Sequence, residues 1–94
     1  MAIMIVKHKV KDFTQWKPVF DSLEALRRQH GWIGHEVYRE PTDLNSVVIV
    51  NRMGSVEQAK AYGASPELHE AMKNGGVITQ PEITILSDAE MKVY

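Results

Sequence analysis

His8 is the side chain in this sequence best suited to proton transfer near neutral pH. It follows Met4 and Val6 at two-residue spacing in the segment Ile3 to Val10, on one side of a predicted strand. An imidazole in that position could act as a base or hydrogen-bond donor in a pocket, because histidine titrates near neutral pH. A histidine near a strand end is more often satisfied by a neighbour or by solvent, and the sequence alone favours that second interpretation.

Two polar residues, Asn51 and Arg52, close the apolar run Val47 to Val50 on opposite faces of another predicted strand. Asn51 is a candidate substrate-binding residue, because a polar amide there ends an otherwise apolar strand. Arg52 could hold an anionic group through its planar guanidinium. An arginine at a strand end is usually a solvated charge, however, so Asn51 is the better candidate.

Trp16, Tyr62 and His69 complete the candidate binding residues. Trp16 lies on the apolar stripe of a predicted helix, which favours a core position with its N–H able to face a cavity. Tyr62 and His69 could line the mouth of a pocket, Tyr62 as a donor to a substrate carbonyl. Tyr62 could equally cover the bend at Gly63, and spacing alone does not decide between these roles.

The sequence offers no pattern for a resident metal or cofactor, and we predict neither. The four histidines show no metal-ligand spacing, and there is no cysteine to supply a thiolate ligand, a disulfide or a catalytic thiol. Gly75-Gly76 follows a predicted helix instead of opening one, so it is not a phosphate-binding loop. No serine lies in a nucleophile motif.

The 94 residues predict a single domain spanning positions 1–94, with 44% hydrophobic and 24% charged residues as in ordinary globular proteins. Eleven basic residues against twelve acidic ones give a net charge of −1, which provides no basic stripe for nucleic acid. The apolar start, Met1 to Val6, is too short for a signal peptide or a membrane span. We therefore expect a cytoplasmic protein that binds neither nucleic acid nor membrane.

The residues that could do chemistry are positioned by alternating strand and helix patterns. Phe13, Trp16, Phe20, Leu23 and Leu26 recur at helical spacing, which predicts one long helix from the cap Asp12 to the stop Gly31, with Pro18 able to bend it. The other predicted elements are strands at 3–10, 32–40, 46–53 and 82–86, helices at 56–62 and 66–74, and a short fifth strand from Met91 to Tyr94.

The order β-α-β-β-α-β predicts an α+β, ferredoxin-like antiparallel sheet with the helices on one face. The central strands carry apolar residues on both sides, so the face away from the helices needs a cover, and a homodimer paired through the sheet faces supplies one. The first and third strands contain no aromatic residue on which RNA bases could stack. The lack of cysteine also excludes a metal chaperone of this topology.

Three segments resemble the dimeric α/β-barrel superfamily, near the antibiotic-biosynthesis-monooxygenase-like proteins. They are Asp12-Phe13-x-x-Trp16, Gly31-Trp32-Ile33-Gly34 and the stretch from Val56 to Leu68. The resemblance implies a dimer of face-packed sheets with one pocket per subunit for a flat organic substrate. Where many relatives carry a histidine before the Ser-Pro turn, this chain has Tyr62, which argues against the haem ligation found in some of them.

The resemblance leads to two functional hypotheses. The first is a small cofactor-independent monooxygenase-like or isomerase-like enzyme acting on an aromatic or polyketide-type molecule, which predicts an apolar cavity with several converging polar side chains. The second is a non-catalytic module that binds a small ligand, which predicts an apolar cavity with one or two polar anchors. An orphan dimeric module, the third possibility, predicts no cavity.

Overall fold

A computed structural model describes residues 1–93 of the chain. The elements are strands β1 (Ala2–Lys9), β2 (Trp32–Glu40), β3 (Asp43–Met53) and β4 (Glu82–Ser87), and helices α1 (Phe13–Asp21), α2 (Glu24–Gln29), α3 (Val56–Gly63) and α4 (Pro66–Asn74). The strands form one antiparallel sheet in the order β2-β3-β1-β4. The predicted α+β, ferredoxin-like fold is therefore confirmed.

The two central strands fix which residues face the helices. Val6 pairs with Ile49 and Met4 with Asn51, so alternate residues of β1 and β3 share the covered face. This face forms the core together with Trp16 and side chains from α3 and α4. The opposite face carries Ile3, Ile5, Val48 and Val50, which are only partly buried within the single chain.

The first helix differs from the prediction, because it is broken into α1 and α2 at Ser22 and Leu23. Pro18 lies inside α1 without ending it. The chain turns where the Leu23 N–H donates to the Phe20 carbonyl, 3.1 Å away, and the Ser22 hydroxyl donates to the Val19 carbonyl, 2.6 Å away. These bonds tighten the last turn of α1, and the apolar stripe alone gave no sign of them.

The end of α2 follows the prediction more closely. Gly31 adopts a φ of 75°, a left-handed conformation that glycine adopts without strain. A side chain at this position would also meet Gln58, whose amide lies within 2.4–2.5 Å of the place of a Cβ atom. Gly31 thus ends the helix and lets the chain pass close to α3.

The second half of the chain keeps its predicted elements. Ser55 and Ser65 cap α3 and α4 by accepting from the backbone N–H groups of Gln58 and Leu68. The predicted fifth strand is wrong for residues 91–93, which have no regular structure, and Tyr94 lies outside the described residues. Within residues 1–93, no helix combines the length and apolar character that crossing a membrane requires.

Candidate functional site

A small cavity lies between the helix-facing side of the sheet and helices α1, α3 and α4. Its walls are largely apolar, and three polar side chains also line it, those of His8, Asn51 and Tyr62. The cavity has a volume of about 30 Å³. A water molecule needs roughly 10–15 Å³ on this measure, so the space is that of about two waters.

His8 reaches the cavity from β1 and is only 4% exposed. Its Nδ1 atom is buried without a hydrogen-bond partner among the described residues. The ring meets Trp16 edge-on, with 5.8 Å between the ring centres. Burial lowers the pKa of His8 below its ordinary value of 6.5, and the nearby backbone of His8 itself offsets part of that effect. The side chain is therefore neutral at pH 7 and has a free nitrogen.

This geometry contradicts the interpretation of His8 that the sequence favoured. A solvated or satisfied strand-end histidine would leave neither nitrogen buried and unpaired. Here the β1 register places the ring on the covered face, beneath Trp16 of α1. The same side chain also lines a wider groove of about 250 Å³, together with Lys9, Ser46 and Thr79.

Asn51 faces the cavity from β3 and is 2% exposed. Its Nδ2 atom donates to the Met4 carbonyl at 3.4 Å, near the limit of a hydrogen bond. Its Oδ1 atom is buried without a partner in the part of the chain that the structure describes. The amide is thus placed to accept a hydrogen bond from a bound molecule.

Tyr62 lies inside the cavity wall instead of at its mouth, and it is 2% exposed. Burial raises the pKa of its phenol above the ordinary value of 10.0, while Arg27 counteracts part of this effect through its charge and a hydrogen bond. The phenol therefore stays protonated at neutral pH, as a hydrogen-bond donor must.

Trp16 packs in the wall as predicted for a core residue. Its ring stacks on Phe20 with 4.9 Å between centres, and both residues line the cavity. They form the flat aromatic part of the α1 wall, opposite Ile49 and Asn51 of the sheet.

His69 is the one candidate that the structure places elsewhere. It is exposed on α4, and its Nε2 atom bonds to the Gly63 carbonyl at 2.9 Å. Leu68, its neighbour on α4, turns inward and lines the cavity instead. Because successive helical residues point about 100° apart, only one of the two can face the sheet.

Sequence reasoning missed a second polar cluster beside the cavity, made of Arg27, Trp32 and His35. Arg27 extends the spacing of Trp16, Phe20 and Leu23 along the apolar stripe, so its position did signal burial. Arginine is seldom fully buried, so residue type gives the opposite indication. Across residues 1–93, no group of three or more histidine or acidic side chains is arranged to hold a metal ion.

Comparison with known proteins identifies the fold but gives no sequence-level assignment. No family profile and no curated protein sequence matches the chain. Among solved structures, the cofactor-independent oxygenase SnoaB from Streptomyces nogalater matches with a TM-score of 0.74 and 15% identity, over 96% of this chain and 94% of that one. An antibiotic biosynthesis monooxygenase matches with a TM-score of 0.70 and 12% identity, over 96% of this chain and 100% of its own.

This chain shares the fold of these solved structures. A conserved protein from Methanosarcina mazei Go1 also has it, with a TM-score of 0.70 and 19% identity over 95% of this chain and 94% of its own. The resemblance seen in the sequence is thus confirmed at the level of the fold. At these identities, the activity of the similar proteins does not transfer with it.

Proposed function

We propose that the protein is a cofactor-independent oxygenase acting on a small aromatic molecule that carries an acidic C–H group next to a conjugated carbonyl. The observation behind this proposal is the set of three side chains, His8, Asn51 and Tyr62, lining one largely apolar cavity. Such a site matches the enzyme hypothesis, which requires several polar groups, better than a site with one polar anchor.

The proposed chemistry begins with proton transfer to His8. The imidazole is neutral because burial disfavours its cation, so it can take the proton from carbon. The Tyr62 phenol donates to the carbonyl oxygen, where negative charge develops, and the Asn51 Oδ1 atom accepts from a substrate hydroxyl. The apolar walls keep water away from the carbanion.

Dioxygen then serves as the oxidant and needs no bound cofactor in this scheme. The carbanion forms a bond to one oxygen atom, and the O–O bond breaks as the second C–H proton leaves. The overall change converts CH₂ and O₂ into C=O and H₂O, so one oxygen atom enters the product and the other becomes water. The groove beside His8, which also contains Thr79 and Ser46, gives the transferred proton a route to solvent.

An isomerase shares the first step of this scheme. If the proton taken by His8 returns to a different carbon, the double bond moves and no oxygen is consumed. The two outcomes can therefore be separated by measuring dioxygen uptake and product structure in the same reaction.

The cavity must widen before an aromatic ring can enter, because its volume of about 30 Å³ holds only water-sized molecules. Leu68 and Met72 of α4 form part of its wall. Methionine is unbranched and adapts its shape readily, so displacement of this wall is the least costly opening. We propose that substrate enters on the α4 side.

The test uses anthrone, a tricyclic ketone with an acidic CH₂ group, and follows dioxygen uptake together with anthraquinone formation. We expect turnover by the wild type and a loss of roughly 10²-fold or more in His8→Gln, the usual contribution of a positioned base. His69→Gln is the matched control, because that histidine lies outside the cavity. Equal turnover by the wild type and His8→Gln, above the spontaneous rate, would contradict the assignment.

The mainly apolar lining of the cavity favours one second candidate, a non-catalytic module that binds a small apolar ligand. Native mass spectrometry of the freshly purified protein would detect a retained ligand, and anthrone would then bind without oxygen uptake. The catalytic proposal fails if binding is measured and turnover stays at the background rate.

We further propose that the protein is a homodimer joined through the open sheet faces. Ile3, Ile5, Val48 and Val50 form an apolar patch on that face, which a second copy would cover. We also propose a cytoplasmic location, with which the absence of cysteine is compatible.

A further inference from the structure

Arg27 is a buried cation without a carboxylate partner. The side chain is 1% exposed, and its Nη1 atom donates to the Phe20 carbonyl at 2.8 Å, which secures the turn between α1 and α2. Its Nε atom is buried and has no hydrogen-bond partner among the described residues. None of the ion pairs within residues 1–93 includes Arg27.

Two rings flank the guanidinium group, and a third ring packs against both of them. The central carbon of the guanidinium lies 4.2 Å from the centre of the Phe20 ring and 5.3 Å from that of Trp32. His35 stacks on Trp32 at 5.4 Å and meets Phe20 edge-on at 5.1 Å. We call these four residues (Phe20, Arg27, Trp32 and His35) the Arg27 cluster.

The Arg27 cluster holds more hydrogen-bonding capacity than the chain uses. Besides Arg27 Nε, the Trp32 Nε1 and His35 Nδ1 atoms are buried without partners in the described structure. Arginine and tryptophan can only donate, and neutral histidine donates from one ring nitrogen. Three unpaired nitrogens in neighbouring side chains therefore indicate an acceptor that is not part of this chain.

The nearby acidic residues are engaged elsewhere. Asp21 pairs with Lys17 at 2.6 Å, and Glu24 pairs with Arg28 at 3.7 Å. Both acids are largely exposed, and each lies one helical turn from its own cation. Arg27, in contrast, is buried, and none of the ion pairs within residues 1–93 includes it. A buried charge is stable only when it is paired and hydrogen-bonded, so its missing partner is an anion.

We propose that the Arg27 cluster is a binding site for a carboxylate group beside the cavity that His8 lines, with Phe20 shared between the two. A carboxylate is planar, accepts through two oxygens and matches the donor geometry of arginine and an indole N–H. The aromatic faces of Phe20 and Trp32 exclude water and strengthen the attraction. This proposal does not depend on the proposed oxygenase activity, because binding at the cluster can be measured without turnover.

The experiment is thermal unfolding of the wild type in sodium acetate, sodium chloride and sodium phosphate at equal ionic strength and pH. A specific carboxylate site predicts a higher Tm in acetate than in chloride or phosphate. At an acetate concentration ten times its Kd, the rise is about 6–11 °C for a domain of this size. Equal Tm values in the three salts would overturn the proposal.

Three variants locate the effect. Arg27→Met replaces the buried cation by an apolar chain and should abolish the acetate-specific rise. Trp32→Phe keeps a ring and removes the N–H donor, so the rise should shrink. Arg28→Gln is the matched control, because it removes an exposed cation next to the same Trp32 ring and should leave the rise unchanged. A rise that persists in Arg27→Met, or that is lost in Arg28→Gln, would contradict the site.

A protein-concentration series identifies the source of the carboxylate. If a second copy of the chain supplies it, the acetate-free Tm increases with protein concentration more strongly in the wild type than in Arg27→Met. If a free molecule supplies the carboxylate, the Tm of the wild type and the Tm of Arg27→Met depend on protein concentration in the same way. The two Tm values then respond differently only to added acetate. Trp32→Phe tests the site even if Arg27→Met fails to fold.

Discussion

At the scale of single residues, the structure separates side chains that the sequence could only group. His8, Asn51 and Tyr62 line one cavity, whereas His69 lies on the outer side of α4. The property that distinguishes the cavity residues is a buried polar atom without a hydrogen-bond partner. His8 Nδ1 and Asn51 Oδ1 are such atoms among the described residues, whereas the Nε2 atom of His69 is hydrogen-bonded to the Gly63 carbonyl. Buried polar atoms without partners cost stability, so they mark places where a ligand can compensate.

The lowered pKa of His8 makes the stability of the protein depend on pH. Between the folded-state pKa and 6.5, the unfolded chain binds a proton at His8 that the folded chain does not. The contribution of His8 to the free energy of unfolding is therefore fully present above pH 6.5, and it falls as the pH drops from 6.5 toward the folded-state pKa. The slope reaches about 1.4 kcal/mol per pH unit for one proton.

We expect the free energy of unfolding to decrease from pH 7.5 to pH 5 in urea titrations, and the decrease to be smaller in His8→Gln. His69→Gln is the control, because this exposed residue should leave the decrease as in the wild type. His35, whose pKa is also lowered by burial and by Arg27, accounts for part of the slope that remains in His8→Gln. A wild-type slope preserved in His8→Gln would contradict the buried, neutral state of His8.

At the scale of elements, α4 is the wall that we propose to move when a substrate enters. Ser65 begins this helix and accepts from the Leu68 N–H at 3.4 Å, while its hydroxyl donates to Glu67 Oε2 at 2.7 Å. Pro66 follows at the first helical position, where its fixed φ favours the helix. The cap stabilises the start of the helix that carries the lining residues Leu68 and Met72.

Ser65→Ala should lower the free energy of unfolding by about 1 kcal/mol, because one N–H at the helix start loses its acceptor. Amide hydrogen exchange should accelerate over residues 66–74 and stay unchanged in β1 and β3. Ser55→Ala, the same change at the start of α3, is the matched control and should accelerate exchange over residues 56–63. Uniform acceleration in both variants would mean that α4 does not open independently.

At the scale of the whole molecule, the sheet has one covered face and one open face. Ile5 and Val50 are paired neighbours at the centre of the open face, with Ile3 and Val48 beside them. An apolar patch of this kind is typically covered by a partner.

Ile5→Glu should convert the proposed dimer to monomer, because it places a charge in the centre of that interface. Ile78→Glu is the matched control: Ile78 is 64% exposed, lies in the loop before β4 and is not one of the four patch residues. Light scattering after size-exclusion chromatography measures the molar mass, and so the oligomeric state, of the wild type and of both variants. A dimeric Ile5→Glu variant or a monomeric wild type would contradict the proposed arrangement.

The sequence by itself determined the four main strands, the antiparallel topology of their sheet and the capped ends of α3 and α4, but neither the break in the first helix nor the absence of a strand at residues 91–93. The features that it determined depend on local signals, namely alternating apolar residues, Ser55, Ser65-Pro66 and the left-handed Gly31. It also placed Asn51 among the candidates, because its polar amide ends an apolar strand, and Tyr62, as a possible donor to a substrate carbonyl.

Only the tertiary structure decided which polar atoms are buried and which are paired. The break in the first helix, the inward turn of His8 and the burial of Arg27 all depend on contacts between residues far apart in the sequence or on opposite sides of a turn. A charge or an imidazole has no fixed preference for burial by residue type alone. Whether such a side chain is buried depends on the carbonyls, rings and donors around it, and the tertiary structure determines which of these groups are its neighbours.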